Sequence, residues 1–272
     1  MKYEELKGLK DKIFKRLIGI KREIFEFQVA ILEDALIEKH KRGGRLPKLS
    51  LEDILLLMYG YLRDYTTFLK LGMYFGLHES NAYRWVIWAE QTLSSYMNED
   101  FNITKLTKNK EYLVDVTECA VERPIVQEIQ REYYSGKKKK HTMKIQLIIE
   151  ANTKKIVYVA FDKGSTHDFT LFKNSTEDVD KDVNMIGDSG YQGLDKILTN
   201  SLTPKKKSKL HPLTDQDKDL NHLISIIRIS IEHVNCQLKI FRILSERYRN
   251  RKTTFFSRAL FLCSLYNFCL DI

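Results

Sequence analysis

The chain has 272 residues, long enough for one catalytic core of ordinary domain size and a small accessory domain. Its composition, 43% hydrophobic and 30% charged, is that of a globular protein, and no apolar run approaches the ~20 residues that span a bilayer. The net charge of +9 favours an acidic partner, with nucleic acid as the first candidate. A generic lysine-rich surface would produce the same charge.

The N-terminal residues show no secretory pattern, which predicts a cytoplasmic protein. The four cysteines show neither Cys-x-x-Cys spacing nor the layout of a disulfide framework. We therefore expect reduced, mostly packed thiols and no structural zinc at Cys119, Cys236, Cys263 and Cys269.

Charged and apolar residues alternate at helical spacing over residues 2–41, which predicts two helices. The glycine- and proline-containing stretch 43–47 then interrupts the pattern and marks a connection. Residues 1–48 are thus expected to form an N-terminal helical segment, which could serve in multimerisation.

Residues 49–100 are predicted to contain three successive helices. Ser50, with Asp53 three residues later, has the pattern of a capping box, so the first helix begins here. A second helix follows, Gly76 makes a turn, and a third helix begins near Ser80. This is the layout of a helix-turn-helix unit, whose second helix places its first side chains against base edges.

The last of these three helices has an inner and an outer set of residues. Apolar residues recur every three or four positions and should face inward, at Ala82, Val86, Ala89 and Leu93. The candidates for DNA contact are Ser80, Asn81, Tyr83 and Arg84. A plain helical bundle, in which Asn81 and Arg84 are merely solvated, fits the pattern equally well.

Short β-branched runs dominate the next part of the chain, and we expect a mixed α/β catalytic domain over residues 108–272. Strands are predicted at 112–116, 143–150, 156–162 and 183–187, with helical segments at 168–174 and 194–198. An amphipathic helix is predicted over 215–244, with Leu220, Leu223, Ile227, Ile231, Val234, Leu238 and Phe241 on its buried face. An almost wholly apolar helix follows at 255–269.

Three acidic residues have distinctive surroundings among the 36 of the chain. Asp115 lies inside the first predicted strand, Asp188 follows a later strand, and Glu232 lies on the amphipathic helix. Carboxylates on different rigid elements suit a hard divalent cation, and a pair of such ions suits phosphodiester cleavage. If the two strands are adjacent, Asp115 and Asp188 emerge at neighbouring points of the sheet.

Each acid also has an ordinary structural interpretation. Asp115 could cap a turn with Thr117, Asp188 could belong to an Asp-Ser-Gly turn, and Glu232 could pair with Arg228 one helical turn earlier. Taken singly, each of these is favoured over catalysis. All three acids are expected at buried positions, where unpaired charge is costly, and this argues for a shared site.

Two lysine clusters flank the proposed site and are candidates for phosphate contact, although solvated loops explain such runs equally well. A further basic stretch spans residues 247–252. His167 and Asp168 could orient a phosphate or cap the helix that follows them. The candidates in and beside the clusters are Lys138, Lys139, Lys140, His141, Lys144, Lys205, Lys206 and Lys207, with Lys137 and Lys209 at the cluster ends.

Several of these residues lie in motifs that resemble a known family. The motifs are Asp115-Val-Thr-Glu followed by Arg123-Pro124, Tyr134-Ser-Gly-Lys, Lys140-His-Thr-Met-Lys144, Gly164 with His167-Asp168, Gly187-Asp-Ser-Gly-Tyr-Gln-Gly193, and Arg228-x-x-x-Glu232 with Leu238-Lys-x-Phe241. Over about residues 20–270 the chain resembles insertion-sequence transposases of the DDE superfamily, in the group of insertion-sequence family five and the Harbinger-like elements.

The resemblance implies an α/β fold, with an RNase H-like mixed-sheet catalytic core preceded by an all-α helix-turn-helix domain. It implies that Asp115, Asp188 and Glu232 form a catalytic triad binding Mg²⁺, with Mn²⁺ as a substitute and two ions per active site. Residues implied to support the triad are Thr117, His167 and Asp168, and residues implied to contact DNA include Arg228 and Lys239.

The implied partners are double-stranded DNA, in the form of the element's terminal inverted repeats and the target, and further copies of the chain as a homo-oligomer on DNA. No membrane is involved, and the location is the bacterial cytoplasm at the nucleoid. The implied reaction is hydrolysis at the element ends to free 3′-hydroxyls, which then attack target DNA.

Two other functions are compatible with the same residues. One is a DNA-binding regulator or domesticated protein of this fold without transposition activity, against which the intact acids weigh. The other is an RNase H-like nuclease that acts on RNA or structured nucleic acid and has no joining step. The helix-turn-helix unit favours duplex DNA, because A-form RNA hides its major groove.

Overall fold

The computed structural model describes residues 2–41, 43–97, 99–208 and 212–271. The chain divides into two compact units. One comprises Met1–Glu99, Leu238–Glu246 and Phe261–Ile272, and the other comprises Asp100–Gln237 and Arg247–Leu260. No helix among the described residues is both long and apolar enough to cross a membrane. The four cysteines are free thiols, of which Cys119 and Cys263 are buried, Cys269 is half-buried and Cys236 is exposed.

The first unit is helical, and it begins with three helices where the sequence predicted two. These are α1 (Tyr3–Leu6), α2 (Asp11–Ile18) and α3 (Arg22–His40). The periodicity concealed the break after α2, where Gly19 caps the helix in the left-handed region with φ 98°. Aromatic rings join the helices in the core: Phe25 lies 5.3 Å from Phe14 and 6.4 Å from Tyr59, centroid to centroid.

The helix-turn-helix prediction is confirmed in its elements. They are α4 (Leu51–Leu62), α5 (Phe68–Phe75) and α6 (Glu79–Tyr96). The Ser50 hydroxyl accepts the N–H of Asp53 at 3.2 Å and caps α4, and Gly76 ends α5 with φ 68°. The four residues predicted to face inward from α6 are fully buried: Ala82, Val86, Ala89 and Leu93.

The second unit is built on a six-stranded mixed sheet. Its strands are β1 (Glu111–Ala120), β2 (Tyr134–Ser135), β3 (Lys140–Glu150), β4 (Ile156–Lys163), β5 (Asn184–Ile186) and β6 (Ser201–Leu202). Apart from the short β2, which extends the edge of β3, the order is β4-β3-β1-β5-β6. The first three strands are antiparallel and the last two run parallel to β1. This order and these directions are those of the RNase H-like sheet that the resemblance implied.

Helices complete the second unit, and one face of the sheet is covered by a buried cluster. Its helices are α7 (Gln127–Tyr133), α8 (Asp168–Ser175) and nearly all of α9 (Asp215–Lys239). The following α10 (Arg242–Ser245) belongs to the first unit, and α11 (Phe255–Asp271) is divided between the two units. Phe172 of α8 lies edge-on to Tyr191, with centroids 6.0 Å apart, and both rings are fully buried. This contact anchors the segment that follows β5.

The long helix differs from its prediction in two ways. It ends at Lys239 because Phe241 is extended, with ψ 104°, and starts the short α10. Leu223, predicted to be buried, is 57% exposed, whereas Ile224 is 1% exposed. The buried stripe runs through Ile224, Ile231 and Leu238, and this spacing of seven keeps one face towards the core.

Candidate active site

Strand pairing brings Asp115 and Asp188 to the same part of the sheet. β1 and β5 are adjacent and parallel, and Leu113 pairs with Ile186. Each aspartate lies two residues beyond this pair, so Asp188, just after the end of β5, emerges beside Asp115 in the middle of β1. Asp115 lies in the interior of β1, which excludes the turn-capping interpretation.

Asp188 stands at the start of a short 3₁₀ turn, Ser189–Tyr191. Its Oδ1 accepts the N–H of Gly190 at 2.7 Å, so the Asp-Ser-Gly turn predicted as an alternative is formed. The buried Tyr191 ring fixes the far end of the turn. The turn and the site are compatible, because the turn holds the carboxylate in one orientation.

Helix α9 supplies two side chains that contact Asp115. Arg228 Nη2 lies 3.2 Å from Asp115 Oδ1, and Asn235 Nδ2 donates to Asp115 Oδ2 at 2.8 Å. Asn235 was missed by sequence reasoning. The available signal was its position seven residues after Arg228, which places both on one helix face.

Glu232 lies between these two residues on the same face of α9. Its carboxylate is 4.0 Å from Arg228 Nη1, so the predicted pairing is present but loose, and the side chain is 59% exposed. The expectation that all three acids are buried is therefore wrong for Glu232. The Glu232 side chain extends towards solvent, whereas the Arg228 and Asn235 side chains contact Asp115 on the sheet.

The electrostatics of the site favour an added cation. Burial, together with the charges of Asp188 and Asp168, raises the pKa of Asp115 to about 6 against the lowering effect of Arg228. Two buried polar atoms beside Asp115, Arg228 Nε and Asn235 Oδ1, have no hydrogen-bond partner among the described residues. Converging carboxylates and an unpaired carbonyl oxygen suit a hard divalent ion. No three His, Cys, Asp or Glu side chains in the described part of the chain are already grouped as a metal site.

Asp168 adds a third carboxylate beside Asp188. A Cβ placed on Gly190 would lie 2.9 Å from Asp188 Oδ1 and 3.0 Å from Asp168 Oδ2, so both carboxylates lie against this glycine. Lys144 Nζ contacts Asp168 Oδ1 at 2.6 Å and the carbonyl oxygen of Thr166 at 2.5 Å. Lys144 is 6% exposed, so it holds Asp168 in place and, contrary to the sequence interpretation, offers no free charge to DNA.

His167 and Thr117 were predicted, together with Asp168, to support the catalytic acids. The imidazole of His167 accepts the N–H of Phe169 at 3.3 Å, which is the helix-capping alternative. Thr117 lies within β1 opposite Ile145 and is 6% exposed. Neither is shown to touch an Asp115 or Asp188 oxygen.

The proposed DNA-contact residues are distributed over several surfaces. Within the two lysine runs, the exposed candidates are Lys138, Lys139, Lys140, Lys206 and Lys207. His141 is half-buried, and its ring is edge-on to that of Tyr134. Lys205 is paired with Asp217 at 2.5 Å, and Lys209 lies outside the described residues. Lys239 belongs to the helical unit. At the start of α6, Ser80, Asn81, Tyr83 and Arg84 are all exposed.

Comparison with known proteins identifies the class. A family model described as DDE superfamily endonuclease matches residues 114–267, and a second, the helix-turn-helix of DDE superfamily endonuclease, matches residues 47–97. The probable transposase for insertion sequence element IS702 of Microchaete diplosiphon is 38% identical over 277 residues, covering 100% of this chain and 99% of the relative. No solved structure matches the chain significantly.

The chain therefore belongs to the DDE superfamily of endonucleases. Endonucleases of this superfamily generally depend on divalent metal ions. Within it, the chain is a transposase of the insertion-sequence type, an enzyme of DNA transposition with a DNA-binding helix-turn-helix before its catalytic domain.

Proposed function

We propose that Asp115, Asp188 and Glu232 are the catalytic acids of this transposase. The observation that carries the proposal is the meeting of β1, β5 and α9 at Asp115. Asp188 emerges beside it, and Arg228 and Asn235 contact it from one helical turn on either side of Glu232. Glu232 lies on the same face of α9 as these two neighbours, which already reach Asp115.

The metal in this proposal is Mg²⁺, with Mn²⁺ as a substitute and two ions per site. The three carboxylates would hold it, with the Asn235 amide oxygen as a further available donor. When bound, such ions activate an oxygen nucleophile and stabilise charge on the leaving oxygen. Arg228 offsets part of the negative charge of Asp115 through their ion pair at 3.2 Å.

The proposed substrates are the element's terminal inverted repeats and the target DNA. Ser80, Asn81, Tyr83 and Arg84 would approach base edges from the first turns of α6. Water attacks the phosphodiester at each element end, and the 3′ oxygen departs and takes up a proton. The resulting 3′-hydroxyl then displaces a 3′ oxygen of the target strand and loses its own proton.

The proposed arrangement assigns residues 1–48 to multimerisation, 49–100 to DNA binding and 108–272 to catalysis. Two element ends must be held together for joining, so the active form would be a homo-oligomer on DNA. A substrate carried in the bacterial chromosome places the protein in the cytoplasm, at the nucleoid.

Single isosteric substitutions test the triad. Asp115→Asn, Asp188→Asn and Glu232→Gln should each abolish Mn²⁺-dependent cleavage of labelled duplex from the DNA bordering the gene, while binding persists. Asp219→Asn, an exposed acid earlier on α9, is the matched control and should cleave as the wild type does. Retained nicking by a purified variant would remove that residue from the triad.

The same assay separates the candidate functions. Cleavage together with joined product supports transposition. No cleavage by the wild type would indicate a binding protein of this fold, and cleavage without joining or end preference would indicate a general nuclease.

A further inference from the structure

A cavity of about 340 Å³ is lined in part by Asp188, while neither Asp115 nor any described residue of α9 is in its lining. Three connections form its walls: the β2–β3 turn at Ser135–Lys137, the β4–α8 loop at residues 164–167, and the turn after Asp188. Lys206 lines the fourth side. The cavity therefore borders the proposed metal site without including all of its acids.

The lining of the cavity is suited to an anion. Of the three carboxylates in its lining, Asp168 is ion-paired with Lys144, whereas Glu118 and Asp188 accept hydrogen bonds from the Thr142 hydroxyl and the Gly190 N–H, each at 2.7 Å. Asp188 is also a proposed metal ligand, so a bound cation would balance its charge. Lys137 and Lys206 form no ion pair with any residue that the structure describes, so two ammonium groups are available.

A nucleotide base is a poor fit for the same space. Stacking on aromatic rings is the usual way in which proteins hold an unpaired base. His167 is the one aromatic ring among the described residues that line this cavity, and its imidazole already accepts the N–H of Phe169; the other walls carry hydroxyls, glycines and charged groups. A phosphodiester needs cations and hydrogen-bond donors, which these walls provide.

The segment that carries Lys206 is held on both sides. Asn221 of α9 accepts the N–H of Lys205 at 2.9 Å and donates to its carbonyl oxygen at 3.0 Å. Gln192, in the loop after Asp188, donates to the carbonyl oxygen of Pro204 at 2.7 Å. Lys205 is itself tied to Asp217, so Lys206 is the residue of this run that faces the cavity.

We propose that this cavity is a subsite for one non-scissile backbone phosphate of the strand that the enzyme cuts, held jointly by Lys137 and Lys206. The proposal rests on the proposed function, because it places the bound strand across Asp188. It also distinguishes lysines within each run, since Lys138 and Lys207 do not line the cavity. The subsite would fix the register of the strand relative to the catalytic acids.

Methylphosphonate scanning of the cut strand tests the subsite. Single uncharged linkages are placed at each position near the cleavage point of the element-end duplex, and affinity is measured without divalent metal. For the wild type, one linkage outside the scissile position should lower affinity by about tenfold or more. In the Lys137→Ala/Lys206→Ala variant this one penalty should disappear, and the salt dependence of binding to unmodified duplex should fall by about one phosphate contact.

Lys138→Ala/Lys207→Ala is the matched control, with the same charge change in the same two runs. It should retain the penalty at that linkage even if its overall affinity is lower. The subsite proposal is overturned if the Lys137→Ala/Lys206→Ala variant still shows the affinity penalty at that linkage, or if the control variant loses the penalty as well. Cleavage and joining by the wild type in those cases would leave the proposed function intact, whereas a wild type that neither binds nor cuts the duplex would overturn both.

Discussion

Asp115 is surrounded by side chains with opposite electrostatic effects. Burial and the charges of Asp188 and Asp168 raise its pKa, while Arg228 lowers it. Asn235 is neutral, and it contributes direction by donating to the second carboxylate oxygen. At the level of single residues, the site is therefore defined by the contacts of one buried acid and not by the three acids alone.

The Asn235 contact yields a prediction. A hydrogen bond to a charged group contributes about 1.5–3 kcal/mol, so Asn235→Ala should slow single-turnover DNA cleavage roughly 10- to 100-fold. Cys236→Ala changes the neighbouring, exposed position and should leave the rate unchanged. Equal cleavage rates for Asn235→Ala and the wild type would show that the contact has no role in orienting Asp115.

The ion pair between Lys144 and Asp168 allows a prediction about the free energy of unfolding. Lys144→Met leaves the Asp168 carboxylate, 19% exposed, without its partner, and removing one member of a buried pair costs about 3–5 kcal/mol. The double variant Lys144→Met/Asp168→Asn removes both charges and should recover most of the lost free energy of unfolding. Urea denaturation measures the change, and a double variant no more stable than the single one would contradict it.

At the level of elements, the close packing of the helix-turn-helix depends on a glycine. A Cβ on Gly72 of α5 would lie 2.6 Å from the carbonyl oxygen of Leu77, which is backbone and cannot turn aside. The short turn between α5 and α6 therefore requires glycine at this position, in addition to the left-handed Gly76.

Gly72→Ala should destabilise the helical unit by about 1–3 kcal/mol, the usual cost of overpacking, and should weaken binding to element-end duplex. Gly8→Ala is the control, because no atom lies within 4 Å of its added Cβ. Thermal denaturation followed by circular dichroism gives the stability change. A Gly72→Ala protein as stable as Gly8→Ala would show that the turn can move.

Element positions followed from sequence wherever local chemistry determined them. The Ser50 cap, the inward face of α6 and the three long strands were predicted because each depends on neighbouring residues. The burial of α9 was predicted less well. Leu223 and Ile224 are both apolar, and only the tertiary structure shows that Ile224 is the buried one.

For the molecule as a whole, the net charge of +9 predicts how strongly DNA binding depends on salt. If at least about six phosphates are contacted, the logarithm of the association constant should fall with the logarithm of salt concentration with a slope of about −5 or steeper. Fluorescence anisotropy with element-end and unrelated duplexes measures both slopes. A slope near zero would exclude backbone contacts as the main source of affinity.

The sequence by itself predicted the two kinds of domain, the long strands and most of the long helices within them, and the positions of Asp115 within one strand and Asp188 after another. These follow from short-range backbone preferences, from apolar periodicity and from motifs. Only the tertiary structure decided which side chains meet. Asn235 contacts Asp115, which lies 120 positions earlier in the sequence. The Glu232 side chain is exposed, and Lys144 is ion-paired with Asp168. Such contacts depend on how β1, β5 and α9 pack together, and no local pattern in the chain encodes that arrangement.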